Sequence, residues 1–174
     1  MSDAHVFDDR SCFLGEGPLW HPERQQLFWF DIIGRTLLTR KNGETGAWTF
    51  DDMVSAAGWI DRDNLLIAGE TALLKLNIET RTRDVVARLD IGEGLRTNDG
   101  RADPWGGFWF SSMGKKAEND AGAIYRYYHG EVKKLFSSIT IPNAICFSPD
   151  RAFGHFADTD RSIVKRVGLD PESG

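Results

Sequence analysis

One phrase occurs four times along this chain: an apolar strand, a turn rich in Pro and Asp, then a second apolar strand. The copies are LWHPERQQLFWFD, GWIDRDNLLIAG, GRADPWGGFWFSS and CFSPDRAFGHFAD. Their turns fall at Pro22, Arg62, Pro104 and Pro149, a spacing of about 40 to 45 residues, which is the period of a four-stranded propeller blade. A single unit of this kind cannot bury its apolar face, so copies must stack. A sandwich or a barrel can carry so loose a repeat too. The matched order of strand, turn, strand and hairpin puts the propeller first.

The segments between the phrases agree with that order. TLLTR and AWTF are joined by KNGETG, whose Asn-Gly pair is a hairpin signal. NLLIAG, ALLKLNI and RDVVARLD follow, then GFWFSSM, AIYRYY and VKKLFS with a turn at His129-Gly130-Glu131, then NAICFS, FGHFAD and IVKRVGL. No stretch sustains the helical spacing of i, i+3, i+4, i+7. The 18 glycines, 11 phenylalanines and 6 tryptophans suit many short strands and tight turns. The expectation is therefore an all-β chain, a β-propeller of about three to four blades, forming one domain over residues 1–174. The chain stops at GLDPESG, a turn phrase of the kind that introduces another strand. An unclosed propeller leaves sheet edges open, so the sequence reads as the first part of a larger propeller, truncated at its C-terminal end.

Composition excludes several classes of function. With 41% apolar and 27% charged residues the chain is globular rather than disordered. No apolar run approaches the roughly 18 residues of a membrane span, and the opening MSDAHVFDDR is too polar and acidic for a secretory signal. The net charge is −5, with Lys and Arg scattered, so no basic stripe is available to follow a phosphate backbone. Cys12 and Cys146 form neither a disulfide framework nor a metal-binding pair, which fits a reducing, cytoplasmic compartment. Cys146, inside an apolar strand, reads as a small buried hydrophobe.

Three polar phrases near strand starts carry the chemistry. In LGEGPLW, Glu16 stands between two glycines. It can serve as a carboxylate aimed at a cation on the propeller axis, or as an exposed turn residue. In LRTNDGRADPW, Arg96 and Asn98 are two apart, and such residues in an extended segment point the same way. They can share a pocket, with Arg binding an anionic or hydroxyl-rich group. The other reading is a turn, with Asp99-Gly100 closing a hairpin. In SITIPNAICFSPD, Asn143 opens an apolar strand. Its amide oxygen suits a hard cation, or it caps the strand backbone. The four histidines lack zinc-ligand spacing, DIGEGLRTNDGRAD lacks the order of an EF-hand loop, and Ser111 and Ser112 have no evident base. There is no GxSxG elbow, P-loop or GxGxxG.

Taken in order, LGEGPLW, RTNDGRADPWGGFWFSSM and IPNAICFSPD resemble the SMP-30/gluconolactonase/regucalcin family, from about Cys12 to the last residues. The resemblance implies a six-bladed β-propeller, one divalent metal ion near its axis, and hydrolysis of sugar lactones. It implies Glu16 and Asn143 as metal ligands, Arg96 and Asn98 as the substrate-binding pair, and Glu118 as a further acidic contact to substrate. It implies Ca²⁺ before Zn²⁺, Mn²⁺ or Mg²⁺, since the ligands are oxygens. The family's remaining ligand is an aspartate that doubles as general base, in a later PDG-type motif. This chain ends before it, and Asp158 matches a different acidic position. The catalytic aspartate is thus expected beyond Gly174, and the 174-residue chain alone is expected to be weakly active or inactive. A calcium-binding propeller without turnover is the alternative.

Overall fold

Each repeat phrase spans the first two strands of one sheet. The computed structural model describes residues 4–174. Its first sheet holds β1 (Gly15–His21), β2 (Gln26–Asp31), β3 (Thr36–Lys41) and β4 (Glu44–Thr49). The second holds β5 (Val54–Asp61), β6 (Asn64–Gly69), β7 (Ala72–Asn77) and β8 (Arg83–Arg88). The third holds β9 (Leu95–Ala102), β10 (Phe108–Gly114), β11 (Gly122–Tyr128) and β12 (Glu131–Ile139), and the fourth β13 (Pro142–Phe147), β14 (Phe153–Asp158) and β15 (Ile163–Gly168). Within each sheet the strands run antiparallel in chain order, so every sheet is a meander. The first strands β1, β5, β9 and β13 pack side by side, β1 on β5, β5 on β9 and β9 on β13. The four sheets are blades arranged around a common centre, as the repeat requires, and the described residues contain no helix.

The core lies between blades. Leu65 and Ile67 of β6 pack toward Phe28 and Phe30 of blade 1, while Leu66 and Ala68, on the opposite face, pack toward Phe108 and Phe110 of blade 3. Trp109 turns the other way and meets Ile145 and Phe156 of blade 4. Both faces of a middle strand are thus covered, which is why these strands read as continuous apolar runs rather than alternating ones. Phe28, Phe30 and Phe110 are fully buried, and truncating any of them to Ala would cost about 3–5 kcal/mol.

Turn chemistry follows the sequence signals. Asn42 and Gly43 both have positive φ, 50° and 86°, joining β3 to β4. His129 and Gly130 repeat this at 49° and 87° between β11 and β12. Two consecutive left-handed residues are what a two-residue hairpin with the native strand twist demands.

One of two open readings falls, and one expectation is corrected. Asp99 and Gly100 lie inside β9, so they close no hairpin; the turn comes later, where Asp103 Oδ1 accepts the Trp105 and Gly107 N–H groups at 2.9 and 2.8 Å. Cys146 is exposed, not buried. Its neighbour Ile145 takes the face that packs on blade 3, and the two-residue period of a strand turns Cys146 away.

Candidate functional site

The three polar phrases all map to the beginnings of first strands: Glu16 in β1, Arg96 and Asn98 in β9, and Asn143 in β13. In an antiparallel meander the start of a first strand, the end of the second and the start of the third share one end of the blade. All the candidate residues therefore gather at one end of the propeller.

Irregular pairing shapes that end. Across from Trp29, β1 supplies two residues, Gly17 and Pro18; across from Ser111, β9 supplies Asn98 and Asp99; across from Phe156, β13 supplies Ala144 and Ile145. A β-bulge of this kind bends the strand and redirects side chains. In β1 the bulge needs glycine: Gly17 has φ 58°, and a Cβ there would run into the carbonyl oxygen of Ser55 in β5. In β9 the bulge sends two consecutive side chains toward β13. Asn98 Nδ2 donates to Pro142 O at 2.9 Å and to Asn143 Oδ1 at 3.0 Å, and Asp99 Oδ2 accepts the Ile145 N–H at 2.6 Å. Ser111 Oγ accepts the Asp99 N–H at 2.9 Å, so that hydroxyl supports the bulge.

Arg96 and Asn98 bond to each other, as their spacing in an extended strand allows. Arg96 Nη1 donates to Asn98 Oδ1 at 2.8 Å and to Thr97 O at 2.9 Å. Among the described residues Nη1 is the only guanidinium nitrogen of Arg96 with a partner. Both hydrogens of the Asn98 amide are taken by β13, so Asn98 orients its two neighbours and has no donor left to offer a ligand. Burial lowers the proton affinity of the Arg96 guanidinium, while the nearby carboxylates Glu16 and Glu70 act in the opposite sense. Asp99 is shifted the other way from a carboxyl's ordinary value: burial raises its pKa, against the pull of the Ile145 and Gly100 N–H groups and of Arg101.

Asn143 continues the chain of contacts, its Nδ2 donating to Thr159 Oγ1 at 3.0 Å. Thr159 is one of four equivalent residues, each directly after the second strand of its blade. Ile32, Glu70, Lys115 and Thr159 donate their N–H to Leu14, Met53, Gly94 and Ile141 carbonyls at 3.0, 2.9, 3.0 and 2.9 Å. In blades 1 and 4 the residue before this position is a buried aspartate. Asp31 accepts from Phe13 N and Leu14 N at 3.1 and 3.0 Å, and Asp158 from Thr140 N and Ile141 N at 3.2 and 3.1 Å. Asp158 is thus a backbone clamp. Blades 2 and 3 carry Gly69 and Gly114 instead, each followed by a charged residue, Glu70 or Lys115, and these two form an ion pair across the blades.

Glu118 lies in the loop after β10, exposed, with Oε2 accepting the Lys116 N–H at 3.1 Å. The structure gives it no bond to Arg96, Asn98 or Asn143 among the described residues. Sequence reading missed Glu70 and Lys115. The signal available was their place: each follows a Gly at the end of a second strand, at the same end of the blade as Arg96.

Glu16 and Asn143 carry oxygens of the kind a hard cation takes. Glu16 is partly exposed and its carboxylate has no partner among the described residues, while Asn143 Oδ1 retains one lone pair beside Asn98. No group of three His, Cys, Asp or Glu comes together among the described residues.

Comparison with known proteins identifies the family. The chain is 42% identical over 178 residues to a Rhizobium meliloti protein named "Putative sugar lactone lactonase", covering 98% of this chain and 60% of that one. It is 34% identical over 170 residues to a pentonolactonase of Haloferax volcanii, covering 95% of this chain and 57% of the relative. The crystal structure of a calcium-binding protein, regucalcin, from Agrobacterium tumefaciens superposes with a TM-score of 0.93 at 38% identity, over 97% of this chain and 58% of that one. The chain thus spans about three fifths of the length of these proteins. Residues 14–174 match the SMP-30/Gluconolactonase/LRE-like region, and the chain belongs to that family.

Proposed function

We propose that this chain supplies the substrate-holding and cation-holding part of a sugar-lactone hydrolase. The observation that carries the reading is the unbroken line of contacts from Arg96 through Asn98 to Asn143, with Asn98 bonded to both at 2.8 and 3.0 Å. It couples the residue suited to a substrate oxygen to the residue suited to a cation.

Arg96 presents its unpaired N–H groups to the ring hydroxyls and to the lactone oxygen that gains negative charge as the carbonyl is attacked. Asn98 fixes the guanidinium in place, so little reorganisation is needed when that charge develops. Ser55 and Thr97, both buried, bond each other at 2.9 Å and lock blade 2 to blade 3 next to Arg96 in the chain. Glu16 and Asn143 would hold a divalent cation, Ca²⁺ first among the candidates; when bound it supplies Lewis acidity toward the lactone carbonyl. The aspartate that takes the proton from the attacking water is proposed to lie outside these 174 residues. Ring opening would release an aldonic acid.

Acid release from D-glucono-1,5-lactone and from pentonolactones, followed in a pH-stat with the spontaneous rate subtracted, tests this reading together with Ca²⁺ and lactone binding. The expected result is cation and lactone binding by the chain with slow turnover, and loss of lactone binding in Arg96→Lys, which keeps the charge but not the planar fork. Absence of both cation and lactone binding overturns the reading. Cation binding without turnover of any aldonolactone, even when the chain is extended to the length of its relatives, favours a cation-binding propeller. That outcome would parallel the regucalcin neighbour, described as a calcium-binding protein.

A further inference from the structure

The equivalence of Ile32, Glu70, Lys115 and Thr159 has a chemical consequence. These residues occupy one position in four blades, fixed by the same backbone hydrogen bond. In blade 4 that position touches the candidate site directly, through Thr159 and Asn143. By the same geometry Glu70 and Lys115 stand at the same end of the propeller as the candidate site. Two further contacts place them beside Arg96: Thr97 Oγ1 lies 3.3 Å from Ala68 O, two residues before Glu70, and the Lys115 N–H reaches Gly94 O, two residues before Arg96.

Resting on the lactonase reading, we propose that Glu70 and Lys115 form a hydroxyl-binding subsite that selects neutral polyhydroxylated lactones, holding the sugar hydroxyls far from the scissile bond. The pair joins blade 2 to blade 3, yet 22% of the Glu70 side chain and 38% of that of Lys115 remain exposed, so a ligand can reach both. They line two clefts, one of about 310 Å³ with Asp90, Glu93 and Leu95 and one of about 200 Å³ with Arg35, Asp51, Asp52 and Met53. The smaller is below the ~300–1,000 Å³ that houses a whole drug-sized ligand, and it suits one end of a sugar. A carboxylate beside an ammonium matches a hydroxyl, which donates to the first and accepts from the second. The lining of the smaller cleft holds three carboxylates, Asp51, Asp52 and Glu70, against two cations, Arg35 and Lys115. An anionic substituent would face uncompensated like charge, which rejects it.

The test uses two probes without a lactone bond, D-glucitol and D-glucuronate, the latter carrying a carboxylate at its far end. Dissociation constants are measured by calorimetry for the unaltered chain, Lys115→Met, Glu70→Ala and Arg96→Lys, with thermal unfolding confirming that each variant is folded. D-glucitol binding is expected to weaken about tenfold in Lys115→Met and in Glu70→Ala, the loss of one charge-assisted hydrogen bond. D-glucuronate should bind the unaltered chain at least about tenfold more weakly than D-glucitol. Glucitol affinities within twofold of the unaltered chain in both rim variants overturn the subsite. Glucuronate binding as tightly as glucitol overturns the neutral class, and so does an unaltered chain that binds neither probe. If Arg96→Lys weakens glucitol binding while the rim variants do not, the lactonase reading stands and the subsite falls. If the rim variants weaken it and Arg96→Lys does not, the subsite stands and the lactonase pocket falls.

Discussion

The carboxylate of Asp99 accepts the N–H of Ile145 at 2.6 Å, tying the first strand of blade 3 to the first strand of blade 4 across the bulge that also aims Asn98. Replacing Asp99 with Ala leaves that N–H unpaired and should cost about 1–3 kcal/mol. Asp99→Asn keeps an acceptor without a buried charge and should cost less. Because burial raises the Asp99 pKa, the folded state holds this proton more tightly than the unfolded chain. Its contribution is fully present below the ordinary value of 3.8 and is lost as pH rises through the raised one. Denaturant midpoints recorded from about pH 3 to pH 8 should therefore lose a falling component in Asp99→Asn. An unchanged pH profile would remove Asp99 as the source.

Asp31 should act with the opposite slope. Burial works to raise its pKa, but the N–H groups of Leu14, Gly34 and Phe13 together outweigh it and hold the carboxyl below 3.8. Its stabilisation is present above that value and fades as pH falls through the lowered one. Asp31→Asn should flatten the acid limb of the unfolding curve, and an acid limb identical to that of the unaltered chain would contradict this.

Asp158→Ala should destabilise the fold by about 2–5 kcal/mol, because the Thr140 and Ile141 N–H groups are then buried without an acceptor. The expected signature is a lower unfolding midpoint with D-glucitol affinity unchanged in the folded fraction. A selective loss of ligand binding at full stability would instead make Asp158 part of the site.

Gly17→Ala should cost about 2–4 kcal/mol, from a left-handed backbone carrying a Cβ and a collision with Ser55 O. Gly43→Ala is the control: its φ of 86° is also left-handed, but nothing lies within 4 Å of an added Cβ. It should cost only about 1 kcal/mol. Equal thermal shifts in the two variants would mean that the β1–β5 approach is looser than described.

Calcium at one hundred times its dissociation constant should stabilise the chain by about 2.7 kcal/mol, or roughly 5–10 °C in Tm. Chelation should reverse the rise, and Glu16→Gln combined with Asn143→Ala should abolish it. The same rise in that double variant would place the cation elsewhere.

Much of the fold was legible because the repeat is carried by features with few alternatives. The Asn42-Gly43 turn, the Pro22 and Pro104 turns and the aromatic second strands read directly from the chain. The first strands were harder. RTNDGRA is polar and looks like a loop, yet it is β9, because its hydrogen-bonding partners come from β10 and its side chains from neighbouring blades. Asp99-Gly100 carries a turn signature that tertiary packing overrides. The meeting of Arg96 with Asn98 follows from their spacing, whereas the link from Asn98 to Asn143 joins residues 45 apart and needed the blade arrangement. Glu70 and Lys115 escaped because the Gly before each marks only the end of a second strand, while their pairing across a blade boundary needed the blade arrangement.

The meander topology also sets an order of events. Every hairpin closes over a handful of residues, so a blade can form at little loop-closure cost. The site has no such local origin: its side chains come from strand starts a whole blade apart and meet only once blades dock. Pairing within blades should therefore precede the pocket during folding, and loosening between blades should erase the pocket while the hairpins persist. Binding at the proposed site would report on how the blades are assembled, not on whether they are formed.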